Sequence, residues 1–211
     1  FYPPNLTFLL LPGELALTAS AMLHLYLAAA FAWHLARAVD IEPAPALLAG
    51  FAWGFGGFAT SHLLAGHATF LASLPWLPLL FLALERWARG GGSRAVALGA
   101  VATGLALLAG HPQFPYFDAL AAIAWLLHRS LLTPRRGLVR LWGGAGAMAA
   151  LGLGLAAVQL IPTARFLAEA GRGEAIPEGS SGLFGFPPEE ALSLVVPDAF
   201  GHHDLFYVRA G

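Results

Sequence analysis

The chain has 211 residues, of which 58% are hydrophobic and 11% charged, where a soluble domain carries about 25% charge. A soluble fold of this length buries only about 70% of its surface, too little to hide so much apolar mass, so the composition excludes a water-soluble globule and points to a polytopic membrane protein. A net charge of −1 and the absence of cysteine exclude a bulk-charge nucleic-acid binder, a disulfide scaffold and a thiolate metal site.

The first 14 residues read as a Pro-Pro turn followed by a short apolar stretch. Six long apolar segments then follow, at 15–36, 45–61, 68–84, 95–109, 116–127 and 141–161. About 20 helical residues cross a hydrocarbon core of about 30 Å, so the shorter segments must extend into their flanks. Pro75 and Pro78 are expected to kink the third segment and free carbonyls. His24 lies deep in the first segment and is expected to bond across to another helix, while His34 is expected at the interface near Arg37. Gly54, Gly56, Gly57, Gly143, Gly144 and Gly146 are read as close-packing positions.

Arginine placement gives the orientation. All eleven basic residues are arginine, read as coding bias in a GC-rich, bacterial genome. Eight of them, Arg37, Arg86, Arg89, Arg94, Arg129, Arg135, Arg136 and Arg140, fall in the connections 37–44, 85–94 and 128–140. Only Arg165, Arg172 and Arg209 fall on the other side, which puts the first set in the cytoplasm. Six crossings then start and end outside. Residues 1–14, the tight turns 62–67 and 110–115, and a polar tail over 163–211 share the outer face. Within the tail, Pro187-Pro188-Glu189-Glu190 reads as a helix start, 191–196 as a short interfacial helix, and the rest as loop. The chain begins at Phe1 and is expected to be an internal piece of a longer protein.

One internal echo stands out. Leu63-Leu64-Ala65-Gly66-His67-Ala68-Thr69-Phe70 matches Leu107-Leu108-Ala109-Gly110-His111-Pro112-Gln113-Phe114 at six of eight positions, 44 residues apart. It reads either as a duplicated helical hairpin or as coincidence in a Leu/Ala/Gly-rich chain.

The segments Phe1-Tyr2-Pro3-Pro4-Asn5, Ser61-His62 to His67 with Leu74-Pro75-Trp76-Leu77-Pro78, Gly110-His111-Pro112-Gln113, Gln159-Leu160-Ile161-Pro162 and Val196-Pro197-Asp198-Ala199-Phe200-Gly201 occur in one order across nearly the whole chain. This ordered set resembles the bacterial YfhO-type membrane proteins, a family similar to GT-C-fold glycosyltransferases. The resemblance implies a polytopic enzyme that takes a sugar from a polyprenyl-phosphate carrier on the outer face and passes it to a cell-envelope polymer or lipid acceptor. It also implies a catalytic carboxylate in the first outer loop, upstream of Phe1. The family's acid and arginine after the proline that Pro162 matches have Glu169 and Arg172 as their nearest counterparts, with Arg165 intervening.

Several residues could carry chemistry. His62, His67 and His111 lie at outer helix ends and could bond a donor phosphate, move a proton or cap a helix. Gln113 joins them through the Gly-His-Pro-Gln run. Arg165 and Arg172 break the inward preference of arginine and could fork onto a phosphate or snorkel. Asp118, early in the fifth segment, is a weak candidate for a base or proton relay. His202-His203-Asp204 reads as a solvated loop rather than a metal group, and Asn5-Leu6-Thr7 as an incidental glycan-acceptor pattern. No metal site is indicated and no cofactor follows from the sequence, although a divalent metal would suit such an enzyme.

The expectation is therefore an all-α, GT-C-like, multi-pass protein of the bacterial cytoplasmic membrane. Residues 1–14 form an outer loop, 15–162 six membrane helices and 163–211 an extracytoplasmic region. Its partners are the bilayer, a polyprenyl-phosphate-linked sugar and an envelope acceptor, with no nucleic acid. The alternatives are a transporter or flippase module and a non-catalytic assembly scaffold.

Overall fold

A computed structural model describes residues 2–169, 192 and 196 of the chain. The chain divides into two compact units, Phe1–Ala164 and Arg165–Gly211. The described residues contain helices and no strand. After a 3-10 turn at Pro3–Leu6 come α1 (Thr7–Leu10), α2 (Gly13–Ala38), α3 (Pro43–Phe55), α4 (Gly57–Leu64), α5 (Ala68–Ser73), α6 (Trp76–Ala88), α7 (Ser93–Leu108), α8 (Gln113–Leu132) and α9 (Arg135–Glu169). The interfacial helix expected at 191–196 and the Pro187-Pro188-Glu189-Glu190 start lie outside the described residues, apart from Leu192 and Val196.

Four stretches are long and apolar enough to cross a membrane: Gly13–Ala38, Pro43–Leu64, Ala68–Ala88 and Arg135–Glu169. Helix α7 has 16 residues, a rise of about 24 Å. Helix α8 is long enough at 20 residues, but Gln113, Asp118, His128 and Arg129 dilute its apolar character. In the stretch Ala68–Ala88, 67% of the apolar window is buried, against 17–22% in the other three, which makes α5–α6 the centre of the packing. The outward faces are greasy: Leu9, Leu10, Leu48, Phe51, Leu131 and Val139 are all exposed. Water would not tolerate so continuous an apolar exterior, whereas a bilayer requires it.

Local sequence explains the helix ends. Helix α2 carries Glu14 in its first turn and Arg37 in its last, each matched to the helix dipole. Three helices end in the same two-bond motif, with a left-handed residue after the last turn. At α2 it is Asp40 (φ 66°), with the Ile41 N–H donating to Ala36 O and the Asp40 N–H to Arg37 O. At α4 it is Gly66 (φ 71°), with the His67 N–H on His62 O. At α6 it is Gly90 (φ 97°), with the Gly91 N–H on Arg86 O. Asp40 is the sole non-glycine residue with positive φ among the described residues.

The third apolar segment breaks at Leu74-Pro75, between α5 and α6. Pro78 has no N–H to offer the Leu74 carbonyl four residues back. The Trp53 indole N–H supplies it from α3, at 3.1 Å. The Ala72 carbonyl takes a bond from the Tyr2 hydroxyl at 3.0 Å. The second segment also breaks, at Gly56, where a Cβ would strike the Ala52 carbonyl.

Glycines set the helix crossings, though fewer of the expected ones than the sequence suggests. Gly54 of α3 rides on Leu25 O and the Ala29 side chain of α2, where an added Cβ would lie 2.8 Å from each. Gly144 of α9 lies against the Trp87 ring. Gly57, Gly143 and Gly146 meet nothing within 4 Å, and Gly56 serves the break rather than a crossing. The close contacts missing from the sequence reading are Gly50 on Ala29 O, Gly99 on Met148, Gly104 on Leu155 and Gly152 on Thr103.

Candidate functional site

The two echoing turns meet. Each follows the end of a helix and places a left-handed glycine, Gly66 (φ 71°) or Gly110 (φ 88°), just before a histidine. This brings His62, His67 and His111 around one ring, that of Phe70. The His62 and His111 ring centroids each lie 4.1 Å from the Phe70 centroid, and His67 lies 5.3 Å away. Phe114, the echo of Phe70, packs edge-on against it at 5.2 Å and against His111 at 5.4 Å. Phe58 closes the other side, edge-on to His62 at 4.5 Å.

His62 Nδ1 and His67 Nδ1 stand 2.9 Å apart. Such a contact needs a proton on one nitrogen and a lone pair on the other, so the two rings share a single proton along that line. His111 Nε2 lies 3.2 Å from Gln113 Oε1, an amide acceptor that fixes the N–H on Nε2. His62 and His111 are half-buried, while His67 and Gln113 are exposed. The cluster can donate N–H bonds to an anion. Among the described residues no three His, Asp or Glu side chains converge as metal ligands.

Asp118 sits in the second turn of α8, buried, with no hydrogen bond or ion pair among the described residues. It lines an almost wholly apolar cavity of about 380 Å³ formed by α6, α7, α8 and α9. Trp76, Leu80, Ala106, Leu107 and Pro115 share that wall. Leu107 and Pro115 flank the His111 turn in sequence, so the groove and the histidine cluster are neighbours along the chain. Arg165 is exposed on α9 and belongs to the second unit. Arg172 and His202-His203-Asp204 lie outside the described residues.

Sequence reasoning missed one polar network. The His24 Nδ1 is 2.6 Å from the Ser20 carbonyl, which can only accept. The ring therefore carries its proton there, and its Nε2 lies 2.7 Å from the Tyr2 oxygen, whose single O–H is shared between that nitrogen and the Ala72 carbonyl. The Trp76 indole N–H donates to the Tyr2 oxygen at 3.1 Å. The expected cross-bond of His24 exists, but its partner is the segment before α1 rather than another long helix.

At the opposite ends of α2 and α6 lies an ion network. Arg89 bonds Asp40 at 2.9 Å and Glu85 at 2.6 Å, and Arg129 approaches Glu85 at 3.7 Å. The Arg89 guanidinium holds the Asp40 carboxyl below the usual carboxylate range. Arg140 lies over the Trp87 ring at 4.0 Å and donates to the Trp87 and Gly91 carbonyls at 2.9 and 2.7 Å.

No family model, curated protein or solved structure matches the chain.

Proposed function

We propose that the chain is part of a membrane-embedded glycosyltransferase of GT-C-like fold that takes sugar from a polyprenyl-phosphate donor. The observation carrying this reading is one juxtaposition: a histidine–aromatic cluster at two echoing turns, next in sequence to an almost wholly apolar groove of about 380 Å³. In this reading all six long helical stretches cross the bacterial cytoplasmic membrane and the histidine turns face outward.

The carrier's prenyl chain lies in the groove. Its phosphate is held at the cluster of His62, His67 and His111, with Gln113 orienting His111; Arg165 and Arg172 are the guanidinium candidates for the same chemistry. The acceptor hydroxyl oxygen attacks the anomeric carbon, and the bond from that carbon to the phosphate oxygen breaks. The phosphate leaves with the electron pair. The hydroxyl proton passes to a carboxylate acting as general base. Preorganised donors at the leaving phosphate act where charge develops, and one such donor is worth about a hundredfold in rate.

Asp118 favours a second reading. An unpaired carboxyl at membrane depth suits a transporter or flippase relay. The two readings separate experimentally. In the full protein, His111→Ala and Arg172→Ala should each lower sugar transfer by about a hundredfold at unchanged membrane expression, while Asp118→Asn leaves transfer intact. Unchanged transfer in both site variants would remove the assignment. Loss of a proton-coupled flux with Asp118→Asn would favour the transporter.

A further inference from the structure

Away from the histidine cluster, the ends of α2, α6 and α7 border a second cavity of about 660 Å³ that is open to its surroundings. It is lined by Arg37, Arg86, Arg89 and Arg94, with His34 beside them and Asp40 as the one acid on its wall. Two of these arginines are committed: Arg89 to Asp40 and Glu85, and Arg37 through a bond to the Ile41 carbonyl at 2.6 Å. Arg86 and Arg94 have no ion pair among the described residues and are exposed.

Arginines in short connections also fix topology, but topology needs only their number and side. It gives no reason to gather four guanidiniums from three helix ends around one concavity, where like charges repel. The gathering is built into the backbone. Gly90 takes a left-handed φ of 97°, and a Cβ on Gly91 would lie 2.6 Å from Arg86 O. Arg140 pins Gly91 through its carbonyl at 2.7 Å. Asp40, held left-handed at the end of α2, reaches across the cavity to Arg89 and neutralises one charge of four.

We propose that this cavity binds a phosphate-bearing anion, held by Arg86 and Arg94 through forked guanidinium bonds. Its volume accommodates a phosphodiester headgroup, and a basic pocket between membrane helices is where such a group gains most. A lipid headgroup and a soluble phosphate compound share this chemistry.

The test uses the protein in phosphatidylcholine nanodiscs, titrated by calorimetry with short-chain dihexanoylphosphatidylglycerol and, separately, with inorganic phosphate and pyrophosphate. Saturable binding of the lipid alone identifies a membrane headgroup; saturable binding of the inorganic anions identifies a soluble phosphate. The double variant Arg86→Ala, Arg94→Ala should bind about twenty-five-fold more weakly, at about fivefold for each exposed arginine. Asp40→Asn should bind about fivefold more tightly, since asparagine tolerates the left-handed backbone and leaves the cavity more positive. Arg86→Lys, Arg94→Lys should fall between wild type and the alanine pair. Absence of saturable binding by any probe, or equal binding by wild type, the double alanine variant and Asp40→Asn, would overturn the proposal.

Discussion

His24 shows how one side chain can be placed in a fold and still have its partner hidden. Its depth in an apolar segment marks a histidine that must bond something. The partner, Tyr2, lies 22 residues earlier and reaches it because the Pro3–Leu6 turn and α1 fold the chain back. No spacing rule encodes that return. The same holds for Asp40, whose left-handed backbone depends on the turn geometry after α2 rather than on its neighbours in sequence. His67 and His111 were legible because they repeat in a shared motif and His62 because it lies at an expected outer helix end, whereas Phe70 drew attention only as part of the echo. Replacing Tyr2 with Phe leaves His24 Nε2 and the Trp76 N–H without their partner and should cost about 1–3 kcal/mol. Thermal unfolding in detergent should show a lowered midpoint; an unchanged midpoint would mean the two groups re-pair at no cost.

At the scale of elements, the apolar segments foretold where helices lie better than where they stop. The segment 116–127 widens to Gln113–Leu132, and 141–161 to Arg135–Glu169. Hydrophobicity marks the part that suits hydrocarbon, while the helical hydrogen bonds continue through polar flanks. Breaks at Gly56 and Pro75 split two segments, and only the proline announced itself. Glycine was the weakest guide, because packing depends on which face a residue occupies. Gly144 abuts the Trp87 ring while Gly143 and Gly146, its near neighbours, face open space. Gly144→Ala should therefore destabilise the protein by about 1–3 kcal/mol through overpacking, and Gly146→Ala should not. Equal midpoints for the two variants in a detergent melt would show that α9 shifts to absorb the methyl group.

For the whole molecule, composition alone excluded a soluble fold, and the all-helical architecture with an apolar exterior bears this out. Sidedness is a matter of counting arginines, and it yields a direct measurement because the chain has no cysteine. Ser61→Cys, beside the histidine turns, should react with a membrane-impermeant maleimide on intact cells. Ser93→Cys, beside the arginine cavity, should react only after permeabilisation. The reverse pattern would invert the proposed orientation and move the histidine cluster to the cytoplasm. Activity was less legible than architecture, since the histidines converge but convergence alone names no reaction.

The break at Pro75 also bears on how the protein is made. The freed carbonyls of Ala72 and Leu74 are satisfied by Tyr2 and Trp53, side chains that emerge from the ribosome first but belong to distant segments. Until those segments dock, a bare carbonyl in hydrocarbon costs several kcal/mol. The third segment therefore enters the bilayer as an unfinished piece and matures only against α3 and the residues preceding α1. Its insertion is coupled to the assembly of what was synthesised before it, so a translocon that released each helix singly would release this one at a loss.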